Sequence, residues 1–148
     1  MKRYLLPLLI LFLSACQKDD PAPNSSNPTA PVSPPPTSQS LLVGTWNVQT
    51  QRTQTTYTNK QFPDTDQTLL LTNTLVTYSA DGKMTGTSNG VQTISGTYAL
   101  DGTKLTVTVP GVQTPLAEVT ELTASRLVIV STEKKGPMRS VTTTTATR

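Results

Sequence analysis

Few side chains in this sequence are equipped for chemistry. The chain has 148 residues, no histidine and a single cysteine, Cys16. Histidine-based triads, histidine metal sites and histidine pH switches are therefore excluded. Neither an internal disulfide nor a cysteine-rich zinc site can form. The one close carboxylate pair after residue 40 is Asp64-Thr65-Asp66. Carboxylates at that spacing on an extended segment point the same way and suit a hard cation such as calcium. The run lacks the further ligands and the glycine of a calcium-binding loop, so a solvated loop is expected and no metal is assigned. Glu118 and Glu121 are expected on opposite faces of one strand, where they cannot act as an acid–base pair. Asp81 and Asp101 each precede a glycine and are accounted for by turns. No serine sits in a Gly-x-Ser-x-Gly elbow, and no glycine-rich phosphate loop is present. The expectation is a protein that is not an enzyme and carries no cofactor.

The elements that must position the remaining candidates are strands. Threonine occurs 29 times, 27 of them after residue 40, and threonine favours strands over helices. Tyr78-Ser79-Ala80-Asp81-Gly82 and Tyr98-Ala99-Leu100-Asp101-Gly102 repeat at a 20-residue spacing, which is two strands plus two turns. Asp-Gly between strand-like runs is a strong hairpin signal. Ser88-Asn89-Gly90, Pro110-Gly111, Ala124-Ser125 and Lys135-Gly136-Pro137 supply the other turns. The strands predicted are 43–57, 73–79, 83–88, 91–99, 103–109, 115–122, 126–134 and 138–146. Residues 59–72, with Phe62-Pro63 and Leu69-Leu70-Leu71, read as an irregular insertion, either a lid or a packed loop. Eight consecutive antiparallel strands predict an all-β, up-and-down meander that closes into a small barrel and so removes its edges. Period-two runs place Trp46 and Val48, Thr74, Val76 and Tyr78, and Leu105, Val107 and Val109 on inward faces. Leu127-Val128-Ile129-Val130 is apolar on both faces. Small residues such as Thr74 and Thr106 would leave room inside, whereas Trp46, Tyr78, Tyr98 and Leu105 would fill it. The same three aromatics could stack on sugars, but their period-two placement favours core packing.

The N-terminal segment is an address rather than part of the domain. Met1-Lys2-Arg3 is basic, and the apolar run to Leu13 is about ten residues long, half of the roughly 20 that a membrane span needs. Residues 1–15 therefore read as a signal peptide. Leu13-Ser14-Ala15-Cys16 resembles the lipobox of bacterial lipoproteins. The resemblance implies that Cys16 is lipidated, becomes the first residue after cleavage, and anchors the chain in a membrane. Gln17-Lys18-Asp19-Asp20 resembles the surface-export signal of Bacteroidota lipoproteins. That resemblance implies a role for Lys18, Asp19 and Asp20 in reaching the outer face of the outer membrane. Residues 16–40 form a linker in which positions 17–40 hold seven of the twelve prolines, a composition expected to stay disordered. With Lys2 and Arg3 removed, the charge falls from +3 to +1, since ten basic side chains face nine acidic ones. The basic residues are scattered, so no nucleic-acid partner is expected.

The domain at 41–148 opens with Leu42-Val43-Gly44-Thr45-Trp46. Gly-x-Trp on a first strand, a meander of Asp-Gly hairpins and Glu121-Leu122-Thr123 before an apolar strand resemble the lipocalin-like domain family of Bacteroidota lipoproteins. The resemblance implies an eight-stranded barrel with Trp46, after Gly44, plugging one end. It also implies an arginine from a late strand packed across that tryptophan, with Arg126 and Arg139 as candidates. The function implied is binding of a small hydrophobic ligand by an outer-membrane, lipid-anchored protein. The alternative is a filled barrel that serves as a structural or protein-interaction module on an outer-membrane complex.

Overall fold

Turns with left-handed residues and β-branched runs between them fold here into successive hairpins. A computed structural model describes residues 37–60 and 62–148. The expected signal peptide at 1–15, Cys16, Lys18, Asp19 and Asp20 lie outside the described residues. One short helix, α1 (Ser38–Leu42), precedes nine strands: β1 (Gly44–Tyr57), β2 (Thr65–Leu70), β3 (Thr74–Tyr78), β4 (Lys83–Ser88), β5 (Val91–Asp101), β6 (Lys104–Thr108), β7 (Leu116–Leu122), β8 (Arg126–Lys135) and β9 (Met138–Thr147). Between β4 and β5, Asn89 and Gly90 both take positive φ, 51° and 78°. That is the backbone of a tight turn whose twist matches its flanking strands.

Strands β3 to β9 pair antiparallel in sequence order, and β9 returns to pair with β1 from Asn47↔Thr147 to Tyr57↔Met138. These strands and β1 form the closed eight-stranded barrel that the meander predicts. The ninth strand corrects the reading of residues 59–72 as irregular. β1 is 14 residues long, and its outer edge is shared: β3 pairs along Gly44 to Asn47, while β2 pairs along Thr50 to Thr55. All six residues of β2 are exposed. Its hydropathy does not alternate, because backbone pairing to β1 rather than a buried face holds it. The helix is the other departure. It starts at Ser38, inside the expected linker, with Thr37 accepting a bond from the Ser40 amide at 3.2 Å.

Three bulges bend the strands and change which side chains face in. Register shifts occur between Val48 and Thr50, between Gly86 and Thr87 against Ile94 and Gln92, and between Val119 and Glu121. Gln49, Thr93 and Thr120 are the extra residues. On β1 the inward set is therefore Trp46 and Val48, then Gln51, Thr53 and Thr55. The core sits at one end of the barrel, around the buried Trp46, Tyr78, Tyr98, Leu105 and Leu127. In the apolar run of β8, Leu127 is buried and Ile129 packs on the core, so Val128 and Val130 face outward.

Candidate functional site

Trp46 is fully buried in the core. Its Nε1 donates to the carbonyl of Leu42 at 2.8 Å, which ties α1 to β1. The arginine across its ring is Arg148, with the guanidinium carbon 4.0 Å from the ring centroid. That fork also donates to the carbonyls of Val43, at 3.0 Å, and Leu41. Neither sequence candidate fills this role. Arg126 is held by Glu121 at 2.9 Å, and Arg139 pairs opposite Lys134 and Thr56 on the outer face. Gly44 explains its own place in the motif: its φ is +133°, and a Cβ would lie 2.8 Å from Nη1 of Arg148.

Around Trp46 the core is closely packed. The Tyr78 and Tyr98 rings meet edge to face at 4.9 Å, and the Tyr98 hydroxyl donates to the Ser79 carbonyl at 2.8 Å. Burial, and then the neighbouring Tyr98, push the Tyr78 hydroxyl pKa up to about 12. These aromatics are core, and none forms an open stacking platform. Gly86 and Gly96 leave no void either. A Cβ at Gly86 would strike Ile94 at 2.3 Å, and one at Gly96 would strike the Thr108 carbonyl at 2.2 Å. The cavity beside Trp46, Val76 and Ile129 measures about 30 Å³, room for about one water. Thr106 does not widen the interior as expected, because it alternates with the inward Leu105 and Val107 and faces out.

One opening lies in the wall. β6 and β7 are joined by only two residue pairs, Lys104↔Glu118 and Leu105↔Ala117. Past that point β6 is held by the Thr114 hydroxyl, which donates to the Val107 carbonyl. A groove of about 350 Å³ lies along this seam. Leu105 and Ala117 line it from the seam, and Leu116 and Val130 from the outer face. Lys104, Thr106, Glu118 and Thr132 supply its polar groups. Leu116 is 84% exposed, an apolar side chain with most of its surface in water. An apolar concavity with a few polar anchors is the usual form of a small-molecule site. The sequence carried no sign of it, since the seam comes from incomplete strand pairing.

The carboxylates behave differently from expectation in one respect. Asp64 accepts from the Tyr57 amide and the Lys60 ammonium, each at 3.0 Å. Asp66 accepts from Arg52 at 2.9 Å and from Gln54 at 3.2 Å. These partners hold both carboxyls below their ordinary pKa, the backbone amide contributing most for Asp64 and Arg52 most for Asp66. Each is committed to its own cation, and among the described residues no group of three metal-ligating side chains gathers. Glu118 and Glu121 do share a face, contrary to the reading from regular alternation. They sit opposite Val130 and Val128, because the bulge at Thr120 absorbs one step. Glu121 is occupied by Arg126, and Glu118 accepts from Thr103 at 3.1 Å.

Compared with known families, residues 42–129 match the family described as a lipocalin-like domain. No curated protein and no solved structure matches the chain.

Proposed function

The chain belongs to the lipocalin-like domain family, and from that premise we propose that it is a non-enzymatic binding module for a small hydrophobic ligand. The ligand sits in the groove at the β6–β7 seam, outside the filled barrel. One observation carries this reading: the seam groove is a concavity of ligand size with apolar lining, at about 350 Å³, whereas the cavity beside Trp46 measures about 30 Å³. Leu105, Ala117, Leu116 and Val130 would cover the apolar body, and Lys104 and Glu118 would orient a polar end. Lipidation of Cys16, the outer-membrane location and surface display guided by Lys18, Asp19 and Asp20 belong to the same proposal. They rest on the lipobox-like and export-like residues. The test is fluorescence of an environment-sensitive naphthalene probe, displaced by decanoate or decanol. Saturable binding is expected, and Leu116→Asp should weaken it about tenfold or more, equivalent to about 1.4 kcal/mol. Absence of saturable binding, or binding indifferent to Leu116→Asp, would remove the groove as the site.

A second reading is favoured by the filled interior together with β2. On this reading the barrel is a docking module for an outer-membrane complex, and the edge strand β2, with Leu69 and Leu70 exposed by 56% and 75% on its two faces, is its contact element. Leu69→Lys with Leu70→Lys would then release the protein from that complex, seen as a loss of co-migration after mild detergent extraction. Unchanged co-migration would count against it.

A further inference from the structure

We propose that the inner face of the β1–β2–β9 extension is a carbohydrate-binding surface, separate from the seam groove. β1 and β9 run on beyond the barrel core, and β2 widens the sheet on one side. The bulge at Gln49 decides what this extension presents. After it, Gln51 pairs opposite Leu69 and Thr144, and Thr53 opposite Gln67 and Thr142. Directly opposite residues share a face. The inner face thus carries neutral amides and hydroxyls beside Leu69, where the barrel core below it is apolar.

Three features fit a sugar. First, Gln51, Thr53, Gln67 and Leu69 line a depression of about 480 Å³, within the usual range for small-molecule sites. Second, the hydroxyls are already oriented: Thr53 bonds Thr142 at 3.2 Å, and Thr55 bonds Ser140 at 2.9 Å. Each hydroxyl has one donor and two acceptor positions, so these pairs keep capacity for a ligand. The Gln51 and Gln67 amides make no side-chain hydrogen bond among the described residues. A planar amide offers a donor and an acceptor side by side, as adjacent sugar hydroxyls require. Third, Tyr57 ends the same row, opposite Met138 and beyond the lining of the depression, and Phe62 packs on its ring with centroids 5.3 Å apart. An aromatic pair farther along a polar row suits a longer ligand with C–H faces and many hydroxyls.

Charge separates this ligand class from anions. Arg52 lies on the opposite face with its guanidinium on Asp66, and Arg139 and Lys134 pair on that same outer side. No cation lines the depression itself, so a phosphate or carboxylate ligand has no counter-charge there. A neutral oligosaccharide needs none.

The experiment is titration of the full chain with maltose, cellobiose and N,N′-diacetylchitobiose, read by backbone amide NMR shifts. At least one disaccharide should give saturable shifts centred on Gln51, Thr53, Gln67 and Thr142. The double variant Gln51→Ala/Gln67→Ala should weaken that binding about tenfold or more, as loss of several hydrogen bonds implies. Its Trp46 emission should stay native, which shows that the fold is intact. No saturable shift with any of the three sugars, shifts centred elsewhere, or binding unchanged in the double variant would overturn the proposal.

Discussion

Trp46 is a large, fully buried side chain that ties together the helix, the first strand and the last residue. Trp46→Ala should cost about 3–5 kcal/mol, the usual range for an emptied aromatic site. Against a typical total of about 5–15 kcal/mol, the variant would be close to unfolding, as a urea midpoint will show. Native emission should be short in wavelength and shielded from iodide; an emission maximum like that of free tryptophan would contradict that burial. Tyr78 contributes to the alkaline limit, and the Tyr98 hydroxyl, raised chiefly by burial, acts in the same direction. The Tyr78 pKa rises from 10.0 to about 12 on folding, so the folded state favours the neutral hydroxyl. The associated stability is complete below pH 10 and is lost as pH climbs toward 12, by roughly 3 kcal/mol at most. Thermal melts from pH 9 to 12 should fall through that window, and Tyr78→Phe should flatten the fall. In acid the signs reverse. Asp64, Asp66 and Asp81 are held below their ordinary values, mainly by hydrogen bonds from Tyr57, Arg52 and Lys83. Their contribution is present at neutral pH and disappears as pH falls through the depressed values. All three are on the surface, so the effect should be small and salt-sensitive.

At the scale of elements, closing so small a barrel demands sharp bends, and glycine and bulges provide them. Gly96 pairs opposite Met84 on β5, and a Cβ there would come within 2.2 Å of the Thr108 backbone carbonyl. Backbone cannot step aside as a side chain can. Gly96→Ala should therefore destabilise by about 1–3 kcal/mol, as overpacking does, measured as a lower urea midpoint with an unchanged slope. An unaltered midpoint would mean that β5 and β6 separate easily. The hairpins themselves were legible because Asp-Gly and Asn-Gly name the backbone they adopt. The strand bounds from 83–88 onward fall within two residues of those read from turn residues and alternation. β2 was not legible, since Thr65 to Leu70 bury nothing. Nor were the bulges, because Gln49, Thr93 and Thr120 look like any other strand residue until a partner's register is known.

For the whole molecule, the first prediction concerns the anchor. Cys16→Ala should abolish acyl incorporation and leave an uncleaved precursor or a periplasmic protein, seen by radiolabelled palmitate and fractionation. Normal processing and membrane retention of that variant would contradict a lipid anchor. Replacing Lys18, Asp19 and Asp20 together with alanine should make the domain inaccessible to protease added to intact cells. Unchanged accessibility would return those residues to an ordinary linker. Both variants change residues outside the 41–148 domain of the sequence, so Trp46 emission is expected to be unchanged in either.

The sequence alone determined the class of fold and the hairpin order, because these follow from local rules, while the role expected of Trp46 came from a family resemblance. Threonine and β-branched residues favour extended backbone, Asp-Gly and Asn-Gly favour left-handed turns, and period two marks an inward face. Tertiary structure decided everything that depends on register. Arg148, rather than Arg126 or Arg139, reaches Trp46 because β9 pairs with β1 in a register that brings the two together. The interior is filled because Ile94 occupies the space beside Gly86 and the tyrosines meet across β4. Glu118 and Glu121 share a face, and Gln51 and Thr53 face inward, because single extra residues shift the alternation that hydropathy implies. A one-residue slip costs nothing in composition yet moves every later side chain to the other face. Which residues belong to a site in this protein is therefore settled only when distant strands have paired.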